Sequence, residues 1–174
     1  MKETNKKVVL IQQPQSQLCW ATCILMMRRI EKEDISKDIT PESIVERCFS
    51  RGKDEDNNIG GQDHVITAAL EAYVWGSNNV SYVENPISWQ AIKQSIDNNQ
   101  PLLVGYGWKE GGGHVMVIGG YEEKGEGWGL VKLFDPLQNK AIDISSDRLV
   151  QGDYDTEIKT GHVGHEWDAT WFRK

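Results

Sequence analysis

The chain has 174 residues, with 26 acidic and 19 basic side chains and a formal net charge of −7. This length predicts a single domain, residues 1–174, and the lack of basic clusters interleaved with aromatic residues argues against nucleic acid as a partner. Three cysteines without a Cys-x-x-Cys pair argue against a disulfide framework and against a structural zinc site.

The N-terminal segment is polar and charged as far as Lys7, and a short apolar stretch, Val8–Ile11, follows it. This stretch predicts an entry strand. Four apolar residues are too few for the core of a signal peptide or for a membrane span. We therefore expect no membrane span, and a location in the cytoplasm or export by a route without such a signal.

A polar segment that contains proline leads to Cys19, and an apolar run, Ile24–Met27, comes soon after it. This pattern is typical of a loop that enters a helix, and it predicts a helix from Cys19 to about Glu31. At a helix N-terminus the free N–H groups and the helix dipole favour the thiolate, which is the reactive form of cysteine. Cys19 is therefore a candidate nucleophile. The alternative is that Cys19 simply packs in the core, as we expect for Cys23 and Cys48.

Gln13 precedes Cys19 by six residues. Its side-chain NH2 group is expected to reach back beside the sulfur. Together with the backbone N–H of Cys19, it would supply two hydrogen-bond donors to a tetrahedral oxyanion.

Three further helices are predicted before residue 100. Thr40 and Pro41 are a suitable N-cap and first residue for a helix that ends at about Phe49. A second helix is predicted over residues 62–75 by its apolar spacing, and Ser88 is a suitable cap for a third that ends at about Asn98.

The remainder of the chain contains apolar runs of strand length. They predict strands over residues 102–106, 114–121, 130–134, 141–144 and 166–172. Helices followed by strands predict an α+β fold with two packed lobes. We expect the helical lobe to span about residues 12–80 and the lobe of antiparallel sheet about residues 81–174.

His114 opens the second of these strands after three glycines, and Asp135 ends the third. A hairpin turn centred between Lys124 and Gly125 would place His114 and Asp135 directly opposite each other on one face. The aspartate would then fix the tautomer of the imidazole and leave its other nitrogen for a thiol. The alternative is a surface pair without a catalytic role. If the two side chains lay on opposite faces of the sheet, Asp143 or Asn139 would be the next candidates to orient His114.

The order of Gln13, Cys19, His114 and Asp135, with Trp-Ala after the cysteine and Pro136 after the aspartate, resembles the papain-like cysteine peptidases. The resemblance runs from about residue 12 to residue 136. It implies a two-lobed fold with the active site between the lobes. It also implies Gln13 as the oxyanion glutamine, Cys19 as the nucleophile, His114 as the base and Asp135 as the orienting residue.

Asn58-x-Gly60-Gly61 resembles the Asn-Gly-Gly segment whose backbone pairs with bound peptide in this family. Substrate contacts are accordingly expected at five residues: Gly60, Gly61, Gly112, Gly113 and Trp20. The aspartate followed by proline resembles the short bacterial members, which include double-glycine leader peptidases and effector proteases. The leader peptidases carry Asp-Cys-Gly where this chain has Leu-Cys-Trp.

The function expected from these residues is hydrolysis of a peptide bond in a peptide or protein, through a thioester acyl-enzyme. No metal or organic cofactor is implied, and a metal site at His162 and His165 lacks enough ligands. Two alternatives stay open: a thiol-dependent amidase, isopeptidase or acyltransferase, and a papain-fold protein that only binds. The sequence does not decide the oligomeric state.

Overall fold

The computed structural model describes residues 1–4, 8–32, 38–108, 111–138, 140–151 and 165–174. The described helices are α1 (Cys19–Lys32), α2 (Pro41–Phe49), α3 (Asp63–Leu70), α4 (Trp89–Asp97) and α5 (Ser146–Val150), and a π-helical turn, Glu71–Trp75, extends α3. The described strands are β1 (Lys2–Glu3), β2 (Val80–Val83), β3 (Leu102–Trp108), β4 (Gly113–Gly125), β5 (Trp128–Asp135), β6 (Lys140–Ser145) and β7 (His165–Arg173). None of the helices in these ranges is long and apolar enough to cross a bilayer.

The strands form one antiparallel sheet in the order β2-β7-β3-β4-β5-β6, and β1 pairs with the far part of β4. One face of the sheet is covered by α1, α2 and α3, which bury an apolar cluster around Ile24 and Met26. The other face is covered by α4 and α5, around Ile92 and Leu149. The predicted α+β class, with a helical part ahead of the sheet, is confirmed.

Helices α2 and α4 begin directly after the cap residues predicted from the sequence. Thr40 and Ser43 form a reciprocal capping box, in which each side-chain oxygen accepts a hydrogen bond from the other residue's backbone N–H. Ser88 accepts from the backbone N–H of Ala91 at the start of α4. These starts were predictable because a cap depends only on residues within one helical turn.

The predicted entry strand at Val8–Ile11 is wrong. Val8 is buried in the helical cluster, and the backbone N–H of Ile11 lies 3.4 Å from Sδ of Met26 on α1. This segment therefore packs on α1, and the N-terminal strand is Lys2–Glu3 instead. β2 and α5 were not predicted at all.

The predicted register of the β4–β5 hairpin is wrong by two residues. Val117 is opposite Phe134, so Asp135 lies diagonally from His114 and not directly across from it. The cause is the turn, which is centred between Glu126 and Gly127, two residues beyond the predicted centre, and uses Gly127 at φ +81°. Alone it would displace the pairing by four residues, and two register irregularities in β4 reduce this offset to two. An offset of two residues keeps side chains on the same face of a sheet, so the two residues can still meet.

Candidate active site

Cys19 lies where the sequence places it, as the first residue of α1. Its side chain is buried, with only 7% of its surface exposed. It lines a cavity of about 380 Å³ that opens between the start of α1 and the ends of β3, β4 and β7. The loop before it is folded back, because the N–H of Leu18 donates to the carbonyl of Gln15.

His114 and Asp135 form a buried pair. Nε2 of His114 lies 2.8 Å from Oδ1 of Asp135, and the two side chains are 3% and 0% exposed. The same Oδ1 accepts the backbone N–H of Leu137 at 2.8 Å. The carboxylate is thus fixed by the turn that follows β5, and it leaves the other imidazole nitrogen for Cys19.

Cys19 and His114 favour the ionised pair. Burial of Cys19 opposes ionisation, but the hydrogen bond and positive charge of His114, with the N–H groups of Val115 and Trp20, outweigh it and lower the pKa of the thiol. Burial of His114 likewise opposes its charge, but the hydrogen bonds to Asp135 and Cys19 and their negative charges raise the pKa of the imidazole to about 9. The imidazolium form of His114 and the thiolate form of Cys19 therefore stabilise each other.

Cys23 has a contact that the sequence did not indicate. It is fully buried one turn beyond Cys19, as predicted, but its thiol donates to the carbonyl of Val115 at 3.2 Å. Burial and the negative charges of Cys19 and Asp135 raise the pKa of Cys23 well above its usual value, so it stays a thiol and a donor. Cys23 thereby fixes the residue whose own N–H holds the sulfur of Cys19.

Gln13 is near the site, but its amide is used differently from the prediction. Nε2 donates to the carbonyls of Gln15 and Ser16, at 2.8 and 3.0 Å. An amide NH2 group has two hydrogens, so both are engaged by the loop. Oε1 is buried without a hydrogen-bond partner among the described residues. The backbone N–H of Gln13 donates to the carbonyl of Pro136 at 2.9 Å, which ties this loop to the one that follows Asp135.

The segment that contains Gly60 and Gly61 forms one wall of the cavity. The N–H of Gly60 donates to Oε1 of Gln17 at 3.1 Å, so it is already used within the protein. Gly61 lies against the ring of Trp20, where a Cβ atom would come within 2.6 Å. Trp20 is 1% exposed and donates from Nε1 to the carbonyl of Ile59, so it mainly supports this wall.

The opposite wall contains Gly112 and Gly113. Gly112 has φ +84°, a conformation that residues with side chains rarely adopt, and it lies close to the ring of Trp108. Gly113 lies so close to the carbonyl of Tyr106 that a Cβ atom would clash. All five expected substrate contacts, Gly60, Gly61, Gly112, Gly113 and Trp20, therefore line the cavity.

The cavity also has walls that the sequence did not predict. Asp63 at the start of α3 and Asp168, Ala169 and Trp171 on β7 all line it. The three residues on β7 were missed because β7 pairs with β3 and not with β6, the strand that precedes it in the chain. No local pattern indicates such a pairing.

The remaining candidates from the sequence are the metal ligands and the other possible partners of His114. Within the described residues, no three or more His, Cys, Asp or Glu side chains are grouped to hold a metal ion. His162, the side chain of His165 and Asn139 lie outside the described residues. Asp143 is exposed on β6, opposite Lys132, and is not the partner of His114.

Comparison with known proteins gives one family. The model of the Peptidase_C39 like family matches residues 5–156. No curated protein matches the chain. Among solved structures, the crystal structure of the Pseudomonas avirulence protein AvrPphB is similar, with a TM-score of 0.41 and 14% identity over 95% of this chain and 96% of that chain.

Proposed function

The chain belongs to the Peptidase_C39 like family, and from that premise we propose that it is a cysteine peptidase whose nucleophile is Cys19. The single observation that carries this proposal is the buried set of Cys19, His114 and Asp135, of which Cys19 and His114 line the cavity. A thiolate at a helix N-terminus beside an imidazolium is the arrangement that nucleophilic attack on a carbonyl requires.

The proposed reaction has two halves. The thiolate of Cys19 attacks the carbonyl carbon of the scissile bond, and His114 gives its proton to the leaving amine as the C–N bond breaks. A thioester joins the acyl half of the substrate to Cys19. Neutral His114 then takes a proton from water, the hydroxide attacks the thioester, and the acid product leaves Cys19 as a thiolate with His114 protonated.

Asp135 is proposed to act through His114. Its Oδ1 accepts from Nε2 of His114, so the nitrogen facing Cys19 is the one that exchanges the proton. The negative charge of Asp135 stabilises the imidazolium that is present before attack. No metal or organic cofactor enters the proposed reaction.

The oxyanion of each tetrahedral intermediate is proposed to be held by the N–H of Cys19 and by the side chain of Gln13. The N–H of Cys19 lies at the first position of α1, where a helix has no acceptor of its own for it. Gln13 has to exchange one of its two loop contacts for the oxyanion, and the contact to Ser16 is the longer.

Gln13→Ala is therefore expected to lower kcat roughly a hundredfold, the usual effect of removing one oxyanion donor, with little change in KM. Gln13→Glu, which keeps the size but has no N–H, should lose about as much. Steady-state kinetics measure both variants, and Gln12→Ala on the adjacent exposed residue is the control. If Gln13 only holds the loop, its loss will instead raise KM and lower the melting temperature. A large loss of kcat in Gln12→Ala would assign the donor to that residue.

Alkylation by iodoacetamide at pH 6 tests the proposal directly, since only thiolate reacts. The lowered pKa of Cys19 means that its thiolate persists as the pH falls below the usual thiol range, whereas burial raises the pKa values of Cys23 and Cys48. Peptide mapping should find the label on Cys19 first and by a wide margin. Equal labelling of Cys48, which is more exposed, would contradict an activated Cys19.

A further inference from the structure

The cavity that contains Cys19 has an apolar wall and an acidic end. Ile66, Ala169 and Trp171 supply apolar surface, and Asp63 and Asp168 lie beside them. A second hollow, of about 300 Å³, adjoins the first, because Asp63, Asp168 and Ala169 line both. A substrate side chain that enters this cavity therefore has both apolar surface and two carboxylates within its walls.

The two carboxylates are held in place by the protein. Asp63 accepts a hydrogen bond from the hydroxyl of Tyr82 at 2.7 Å. Oδ2 of Asp168 lies so close to Gly107 on the neighbouring strand that a Cβ atom there would clash with it. Side chains fixed in this way are prepared to bind a ligand without a further loss of rotamer freedom.

No cation of the protein neutralises this end of the cavity in the described part of the chain. None of the described Lys, Arg or His side chains forms an ion pair with Asp63, Asp168 or Glu84, which also lines the second hollow. Partial burial and the negative charges of Asp63 and Glu166 raise the pKa of Asp168. Burial, the hydrogen bond to Asp63 and the nearby carboxylates likewise raise the pKa of Tyr82. The field at this point is therefore negative, and a ligand cation would relieve it.

We propose that the substrate carries a lysine or arginine side chain close to the scissile bond, and that Asp63 and Asp168 bind its cationic group. The methylene stem of that side chain packs against Ile66, Ala169 and Trp171, as long basic side chains do on apolar surfaces. This inference rests on the proposed function, because it names the substrate class of the same cavity.

The test compares peptides that differ at one position. A peptide library first gives a cleaved sequence, and each position around its scissile bond is then occupied in turn by lysine, by norleucine and by glutamate. Norleucine keeps most of the stem of lysine and removes the charge. At one position we expect kcat/KM to be about tenfold higher for lysine than for norleucine, as for one charge-assisted hydrogen bond, and lowest for glutamate. The preference should shrink at high salt.

The protein variants remove charge and keep shape. In the double variant Asp63→Asn with Asp168→Asn, the ratio of kcat/KM for lysine to norleucine should fall to about one. Asn can still accept the hydrogen bond of Tyr82 at position 63 and fills the same space beside Gly107 at position 168, so the walls stay in place, and thermal unfolding checks this. Asp143→Asn, which removes one negative charge from an exposed position on β6 outside the cavity, should leave the ratio as in the wild type.

The outcomes separate the two proposals. Cleavage that depends on Cys19 but shows no preference for lysine at any position overturns the inference and leaves the proposed function standing. A lysine preference that survives in the double variant also overturns it. Absence of any cleavage that depends on Cys19 overturns the proposed function, and the inference with it.

Discussion

Cys19→Ala is expected to abolish peptide hydrolysis, with a loss in kcat/KM of about 10⁵-fold or more. The reason is that no other group in the described cavity can form the thioester: Cys23 is fully buried and its pKa is raised well above the usual value. The variant removes one sulfur atom from the cavity wall, so the melting temperature should move by only a few degrees. Cleavage of a library-derived peptide and thermal unfolding measure the two effects.

Cys48→Ala is the matched control for this result. Cys48 lies in α2, is only partly buried and does not line the cavity. Cys48→Ala should therefore hydrolyse the peptide as fast as the wild type does. Unchanged turnover in Cys19→Ala would refute the assignment of the nucleophile and every catalytic role that depends on it.

His114→Ala is expected to be about as damaging, because nucleophile and base act as a unit. The double variant with Cys19→Ala should be no worse than either single variant. Loss of His114 also removes the positive charge and hydrogen bond that lower the pKa of Cys19, so alkylation of Cys19 should need a more alkaline pH. In the wild type, kcat/KM should fall as the pH rises past about 9, where His114 loses the proton that the leaving amine needs.

Two substitutions of Asp135 test whether this residue orients His114. Asp135→Asn keeps an oxygen that can accept from Nε2 of His114, so it should retain part of the activity. Asp135→Ala removes that acceptor, frees the imidazole to rotate and should cost considerably more. Equal activity in the two variants would mean that the observed 2.8 Å hydrogen bond has no part in orienting His114.

The parts of the fold that depend on neighbouring residues were predictable from the sequence. The start of α1 at Cys19 and the caps at Thr40 and Ser88 follow from residues within one turn of each helix. The resemblance to papain-like cysteine peptidases is confirmed by the family match over residues 5–156. This resemblance depended on residue types at short spacings along the chain, which can be read directly from the sequence.

The parts that depend on distant pairings were not predictable. A turn further along the chain than predicted, partly offset by two irregularities in β4, shifted the pairing by two residues, and the hydrogen bond between His114 and Asp135 still forms because an even shift keeps both side chains on one face. Cys23 meets Val115 across 92 positions in the chain, and Asp168 reaches the cavity only because β7 lies beside β3. The amide of Gln13 was predicted by spacing alone, which did not reveal the loop carbonyls that compete for it.

The position of β7 has a consequence for the way this protein is made. β7 lies between β2 and β3, so β2 has no neighbour in the sheet until residues 165–173 have been synthesised. Chains emerge from the ribosome N-terminus first, so Cys19 and His114 appear long before the wall that contains Asp168 and Trp171. A nascent chain therefore carries its proposed nucleophile without a finished cleft. This order of synthesis separates the proposed nucleophile in time from the surface that would hold a substrate.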